Sequence, residues 1–386
     1  MPDDATDPDR SAIPYEAVDA LLDRVERERA VTVVLAVAHG SHAWGVPGPD
    51  SDYDVRAVVA PDDRRVYAHL RDHETAFRVD AGGRGGDDAG EDADDEENAS
   101  DDPDGANDDS DTGPGAGADP SIDLEAWDAR KFASLLRESN DGAIDLLRSP
   151  IAYRERVDRD ALARYVLAGE VPAFVRERAP DHGIDDAKLD ALEPLWDPMA
   201  LYHTWRSIAR SNYRKYLSHH LVDGDDRTYP VLATDADGYV VETPGGGERR
   251  VARGDERFTE TAVRATVKRN LVVCRAAMSA RYLRATGEAG GHELPAIDFP
   301  AFLDEQAPDV FDADRIAAAR ELVDLKRAGH GDREVGDRVG RAFAHPTAEI
   351  DPAIHARGRP DAALLDVVVD ELLDAAGGRE SGPAGR

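Results

Sequence analysis

The sequence predicts an α+β protein: a mixed sheet flanked by helices, followed by a mostly helical C-terminal domain. Three observations carry this expectation. Residues 31–38 (VTVVLAVA) form a predominantly apolar run, short enough for a strand buried on both faces. The stretches DYDVRAVVAP and SIDLEAW alternate polar and apolar side chains with a period of two. From about residue 155 onward the apolar residues recur at spacings of three and four, the helical period.

Taken in order, residues 14–30 put Ala17, Leu21, Leu22 and Val25 on one helical face and lead directly into the strand at 31–38. In the next strand Asp52, Asp54, Arg56 and Val58 share one face, while Tyr53, Val55, Ala57 and Val59 share the other. A third strand is expected over 74–80 and a fourth at 121–127, where Ile122 and Leu124 alternate with Asp123 and Glu125. Between them, residues 81–120 hold fifteen Asp and Glu, one basic residue (Arg84) and no large apolar side chain. Such a segment cannot bury enough surface to offset its ordering entropy, so a disordered acidic insertion is expected there. Phe132, Leu135 and Leu136 then mark a helix that breaks at Asn140-Asp141-Gly142. Further helices are expected over 156–177, 197–220, 259–286, 312–328 and 361–376, with a small β-hairpin near 228–252 turning at Asp237-Gly238. The expected organisation is a first domain over 1–150, a helical second domain over 151–376 and a disordered tail at 377–386.

Acidic residues outnumber basic ones 80 to 47, giving a formal charge of −33, and only Lys131, Lys188, Lys215, Lys268 and Lys326 are lysines. An acidic, lysine-poor surface suits a protein kept soluble in a high-salt, halophilic cytoplasm. At molar salt the Debye length falls to about 3 Å, so the overall negative charge does not exclude a polyanionic partner if local basic patches exist. The lone cysteine, Cys274, rules out an internal disulfide and a cysteine-rich zinc site, and its run LVVCRAAM reads as core. No run approaches the roughly 18 apolar residues that span a bilayer, and the N-terminal residues are acidic. A cytoplasmic protein with no membrane partner is therefore expected.

The stretch GSHAWGVPGPDSDYD, which follows the first strand, concentrates the chemistry. Two carboxylates at i and i+2 on one strand face, Asp52 and Asp54, can share a divalent cation such as Mg²⁺, which prefers one or two carboxylates plus phosphate oxygens. A turn at Gly40-Ser41 offers backbone N–H groups and a hydroxyl to those phosphates. A nucleoside triphosphate held between turn and metal is thus expected, with Mg²⁺ or Mn²⁺ as cofactor. Arg56 shares the aspartate face and either neutralises the two aspartates in the absence of metal, touches a phosphate or forms a plain intra-strand salt bridge. Lys131, early in the following helix, either reaches the triphosphate or is solvated. In LYHTWRSIARSNYRKYLSHH, Tyr202, Arg206, Arg210, Tyr213 and Arg214 fall three and four apart. They read either as a face for RNA phosphates and bases or as arginines paired with the acidic majority. Lys268, with Arg275 seven residues on, is a further candidate for phosphate, with a structural role as its alternative.

The pattern of apolar strand, Gly40-Ser41, ten intervening residues and Asp52-x-Asp54 resembles the polymerase-β-like nucleotidyltransferase superfamily. The wider GSHAWGVPGPDSDYDVR, with DLEAWDARKFASLL downstream, resembles more narrowly the predicted nucleotidyltransferase family associated with RNA repair. The acidic insertion and His42, where relatives often carry Arg, depart from the pattern. The resemblance implies a nucleotidyltransferase fold and a third carboxylate, for which Asp123 is the choice and Glu125 the runner-up. It implies that Asp52 and Asp54 bind the nucleotide metal, and that Asp123 helps hold a second metal or deprotonates the acceptor hydroxyl. The implied reaction is in-line attack on the α-phosphate of a nucleoside triphosphate with release of pyrophosphate, the acceptor being an RNA end. The alternatives are transfer to a protein side chain or small molecule, or an antitoxin-like nucleotide binder with little turnover.

Overall fold

The computed structural model describes residues 13–68, 73–81, 121–225, 227–261 and 263–377. Apart from Ala81 and Gly377, the expected acidic insertion and the expected tail lie outside the described residues. The chain divides into two compact units: one comprises the residues up to Gly45, Ser51–Asp197 and those from Arg357, and the other comprises Val46–Asp50 and Pro198–Ala356.

In the first unit, helix α1 (Tyr15–Arg29) leads into β1 (Val31–Ala38), followed by β2 (Tyr53–Pro61), β3 (Ala76–Ala81) and β4 (Ile122–Asp128). Helices α2 (Ala129–Arg137) and α3 (Asp141–Arg148), strand β5 (Ala152–Glu155) and helix α4 (Arg159–Ala168) complete its main elements. The strands form one mixed sheet in the order β3-β4-β2-β1-β5, in which β2 and β4 run parallel and every other pair is antiparallel. The break expected at Asn140-Asp141-Gly142 is the start of α3, where the Asn140 side chain accepts a 3.0 Å hydrogen bond from Ala143 N–H as an N-cap. The helix expected over 156–177 is shorter, because Gly169 takes a left-handed conformation (φ 69°) at the end of α4. A separate helix, Ala173–Arg178, follows Pro172.

Each face of the sheet has its own apolar layer. On one, Val18, Leu21, Leu22 and Val25 of α1 cover Val55, Ala57 and Val59 of β2 and Ile122, Leu124 and Ala126 of β4. On the other, Val58, Ala60 and Trp127 pack with Phe132 and Leu136 of α2 and with Val368 and Leu372 of a helix far along the chain, Ala362–Gly377. The expected boundary at 150/151 is therefore corrected on two counts. Strand β5 pairs with β1 through Leu35–Glu155 and Ala36–Arg154, and the helix Ala362–Gly377 supplies the apolar stripe that closes the core.

The second unit contains helices α5 (Pro198–Asn212), α6 (Val267–Glu288) and α7 (Ala313–Arg327) together with five strands. These are β6 (His220–Asp223), β7 (Thr228–Thr234), β8 (Gly238–Glu242), β9 (Glu248–Ala252) and β10 (Phe258–Thr261), all antiparallel in the order β10-β6-β7-β8-β9. The hairpin expected near 228–252 is β7 and β8, continued by β9 at one edge of this sheet. Strands β6 and β10, on the other side of β7, shorten the neighbouring helices: α5 passes through a π-helical turn at Tyr213–Leu217 and gives way to β6, and α6 begins at Val267, after β10 has paired with β6. Leu221, Tyr229, Tyr239, Val241 and Val251 form the core of this sheet. Cys274 is buried, as expected, and burial pushes its thiol up to about 12. Among the described residues no helix is long and apolar enough to cross a membrane.

Candidate active site

Three successive residue pairs on one face of the central parallel strands change character along their length. Asp54 is in register with Asp123, Arg56 with Glu125 and Val58 with Trp127. Period-two alternation puts these six side chains on the same side of the sheet. The apolar pair belongs to the core layer beneath α2. The middle pair is ionic: Arg56 Nη2 lies 3.5 Å from Glu125 Oε2, with the two side chains only 7% and 19% exposed. The arginine also stacks over Trp127, its Cζ 5.0 Å from the ring centroid, while Trp127 Nε1 donates to Glu125 Oε1 at 3.1 Å. The outermost pair consists of two carboxylates, Asp54 half-buried and Asp123 exposed.

The corner after β1 is built against Asp54. The β1–β2 register ends at Ala38–Val55, and His39 N–H then donates to the Asp54 carbonyl at 2.8 Å. Gly40 follows with φ 58°, a left-handed conformation that costs a residue with a side chain about 1–2 kcal/mol. It opens a short helical turn, Gly40–Ala43, in which Ser41 is half-buried. A Cβ on Gly40 would come within 2.0 Å of Asp54 Oδ2, so only glycine lets the carboxylate sit against the turn. The His42 imidazole stacks on the Tyr53 ring, with centroids 4.3 Å apart and planes 18° apart, joining the turn to the first residue of β2. Gly40→Ala is expected to lower stability by about 1–2 kcal/mol and to displace Asp54. Thermal melting with nucleotide turnover checks this, and a variant that is wild-type in both respects would show that the close approach is dispensable.

The structure thus brings together Gly40, Ser41, Asp54 and Asp123. Asp52 is exposed and precedes the first residue of β2, so the strand ladder does not fix it on the face of Asp54 as the alternation alone had implied. Lys131 is exposed in the first turn of α2, where its backbone N–H donates to the capping carboxylate of Asp128 at 2.6 Å. Arg56 forms a salt bridge, but across the sheet to Glu125 of β4 and not within its own strand. Gly142 was not singled out from sequence, yet a Cβ there would lie 1.8 Å from Arg56 Nη1. Its only signal was the Asn-Asp-Gly break. Among the described residues no three Asp, Glu, His or Cys side chains are grouped so as to hold a metal by themselves. The in-register pair of hard oxygen donors fits a cation that completes its coordination with substrate oxygens.

The candidates in the second unit divide between packed and exposed positions. Tyr202 is buried and donates to Thr347 O at 2.8 Å, and Arg206 Nε donates to Pro346 O at 2.9 Å. Tyr213 is 6% exposed, its hydroxyl donating to Asp337 at 2.8 Å and its ring edge-on to His345, so it is a packed residue and not a surface platform for a base. Arg210 and Arg214 are exposed. Lys268 is half-buried at the start of α6, where its N–H donates to Gly331 O at 2.9 Å. His220 is the first residue of β6 and His219 immediately precedes it, so neither ends a helix, and His219 lies 2.7 Å from Glu260.

Comparison with known proteins bears on the first unit. A Bacillus subtilis (strain 168) protein described as "Uncharacterized protein YcgL" is 26% identical over 134 residues, a match covering 35% of this chain and 37% of that protein. The chain therefore spans little more than a third of that relative's length. No solved structure matches. A family profile, that of the RNA repair pathway DNA polymerase beta family, matches residues 15–170, which include β1 to β5 and the Asp54–Asp123 pair. Its description points to nucleotidyltransferase-like chemistry. Residues 15–170 are thus similar to the RNA repair pathway DNA polymerase beta family, which supports the resemblance carried by the Gly40-Ser41 and Asp52-x-Asp54 pattern.

Proposed function

We propose that the first unit is a nucleotidyltransferase fold and that it transfers a nucleoside monophosphate from a nucleoside triphosphate to a hydroxyl of an RNA end, releasing pyrophosphate. The observation that carries this reading is the register of Asp54 with Asp123 on adjoining central strands, beside a glycine turn that leaves no room for a Cβ. Like charges directly opposite one another in a sheet are destabilising, so a pair retained in a well-packed sheet suggests use with a cation. Asp54 and Asp123, joined by Asp52, would hold Mg²⁺ or Mn²⁺, which when bound neutralises charge on the triphosphate.

The remaining roles belong to the chain. The Gly40–Ala43 turn offers backbone N–H groups and the Ser41 hydroxyl to phosphate oxygens, and Lys131 supplies a flexible cation from α2. Asp123, the more exposed of the paired carboxylates, takes the proton of the acceptor hydroxyl. The oxygen so freed forms a bond to the α-phosphorus as the bond to the pyrophosphate oxygen breaks. Arg56, committed to Glu125 and Trp127, holds the floor of the site and does not reach phosphate. The RNA acceptor is supported by the family's description, with the exposed Arg210 as a candidate phosphate contact.

The test is incubation of the full chain with each α-labelled nucleoside triphosphate, Mg²⁺ or Mn²⁺, concentrated KCl and total RNA and protein. Label is expected in RNA and is expected to vanish with chelator. Label in protein or in a small molecule with none in RNA would overturn the acceptor, and no labelled product of any kind with no pyrophosphate released would overturn the transferase.

A further inference from the structure

A second site of distinct chemistry lies wholly within the second unit. A cleft of about 370 Å³ is lined by Arg281 and Arg284 of α6, Arg315 of α7, and the aromatic residues Tyr202, Phe311 and Phe343. In a chain of 80 acidic and 47 basic residues, three guanidinium groups around one cavity need an explanation. Arg284 is neutralised in place, its Nε 2.7 Å from Glu288 Oε1. The other two are not. Arg281 Nη2 donates to the carbonyls of Ala342 and Phe343 at 2.9 and 3.1 Å, and Arg315 Nη1 donates to Val339 O at 3.0 Å. Neither forms an ion pair with a carboxylate among the described residues.

Phe343 holds both in position. Arg315 Cζ lies 3.9 Å and Arg281 Cζ 4.8 Å from its ring centroid. Arg281 Nε is buried and has no hydrogen-bond partner, which is costly for a charged donor. Burial, with the neighbouring Arg315 and Arg284 charges adding to it, holds the Arg281 guanidinium below its ordinary pKa. The acidic residues of the cleft are engaged elsewhere: Glu288 on Arg284, and Asp312 on the Arg315 N–H at 2.8 Å as the N-cap of α7. The cleft therefore keeps two half-buried guanidinium groups at close quarters, without a carboxylate partner among the described residues, and carries an apolar wall from Tyr202 and Phe311.

We infer that this cleft binds the phosphate monoester of a nucleotide-sized ligand, with Arg281 and Arg315 taking the phosphate and the aromatic wall packing on the organic part. Paired guanidinium forks suit phosphate oxygens in a way that lysines would not. The volume lies near the lower end of the roughly 300–1,000 Å³ typical of small-ligand pockets. The phosphate could be that of a free mononucleotide or that of an RNA strand end, and the recognising chemistry is the same. The inference does not depend on the transferase reading, because none of its residues belongs to the Asp54–Asp123 site.

The test is calorimetric titration of the full chain in chelator with AMP, adenosine, and a short RNA with either a 5′-phosphate or a 5′-hydroxyl. AMP is expected to bind at least about tenfold more tightly than adenosine, the order expected for a charge-assisted phosphate contact. Arg315→Gln and Arg281→Gln are each expected to weaken AMP by about tenfold or more, with Arg281→Lys intermediate, whereas Asp54→Ala leaves AMP binding unchanged. Tighter binding of the phosphorylated RNA than of AMP assigns the phosphate to a strand end, and the reverse assigns it to a free nucleotide. Absence of AMP binding, equal affinity for adenosine, or AMP binding indifferent to Arg315→Gln overturns the inference. The comparison of AMP with adenosine on the unaltered protein stands even if a variant fails to fold.

Discussion

In the Asp54→Ala variant, pyrophosphate release from nucleoside triphosphate is expected to fall by about a thousandfold or more, equivalent to the several kcal/mol that a metal-held charge contributes to a transition state. Asp54 has this weight because it occupies two roles at once. It is in register with Asp123 on the neighbouring strand, and its carboxylate fills the space that a side chain on Gly40 would need. Stability should move the other way. Removing one of two opposed carboxylates relieves their repulsion, so in the absence of metal the variant should melt at the wild-type temperature or slightly above it, by up to about 0.5 kcal/mol. Turnover measured with each divalent metal, alongside calorimetric melting in chelator, separates the two effects. Full turnover in the variant would remove Asp54 from the chemistry. A large loss of stability would recast it as a structural residue.

Arg56→Ala should have the opposite profile, costing about 3 kcal/mol of stability. Breaking one side of a buried ion pair typically costs 3–5 kcal/mol, because the remaining charge is left uncompensated. Here the abandoned group is Glu125, half-buried and otherwise bonded to Trp127 Nε1. The exposed Arg78, 3.8 Å from the same carboxylate, compensates in part and places the expectation at the lower end of that range. The change also removes the stacking on Trp127 and opens space against Gly142. Denaturant unfolding measures the loss, and nucleotide affinity of the folded fraction should stay within about threefold of wild type, a difference under 1 kcal/mol. A stable variant with weakened nucleotide binding would instead make Arg56 a phosphate ligand.

The parts of the fold that were legible in the sequence share one property: their pattern is set by nearest neighbours. Strand β1 is apolar apart from Thr32 because it is covered on both faces, β2 and β4 alternate because one face meets α1, and α2 announces itself through Phe132, Leu135 and Leu136. Asp54 could be placed from the same alternation, but that alternation puts Asp123 and Glu125 on one face, and only the family resemblance favours Asp123 of the two. What the alternation could not supply was the partner of a charge. Arg56 faces Glu125 from a strand about seventy residues away, and only the register distinguishes an ion pair from a ligand. The sheet β6–β10 was half hidden because β6 (HLVD) and β10 (FTET) are four residues long and border helical patterns. Tyr213 has helical spacing and an aromatic ring, but its burial depends on Asp337 and His345, which no local pattern reveals. The helix Ala362–Gly377 was found, but its apolar residues carry no information about which core they enter.

That helix also dictates an order of events during synthesis. Val368 and Leu372 fill the layer over Phe132 and Trp127, yet they emerge from the ribosome only after every residue of Pro198–Ala356. The intervening unit can therefore mature while the sheet that precedes it still has one apolar flank open to water. Until residues 362–377 arrive, that flank is the surface most in need of shielding by a chaperone.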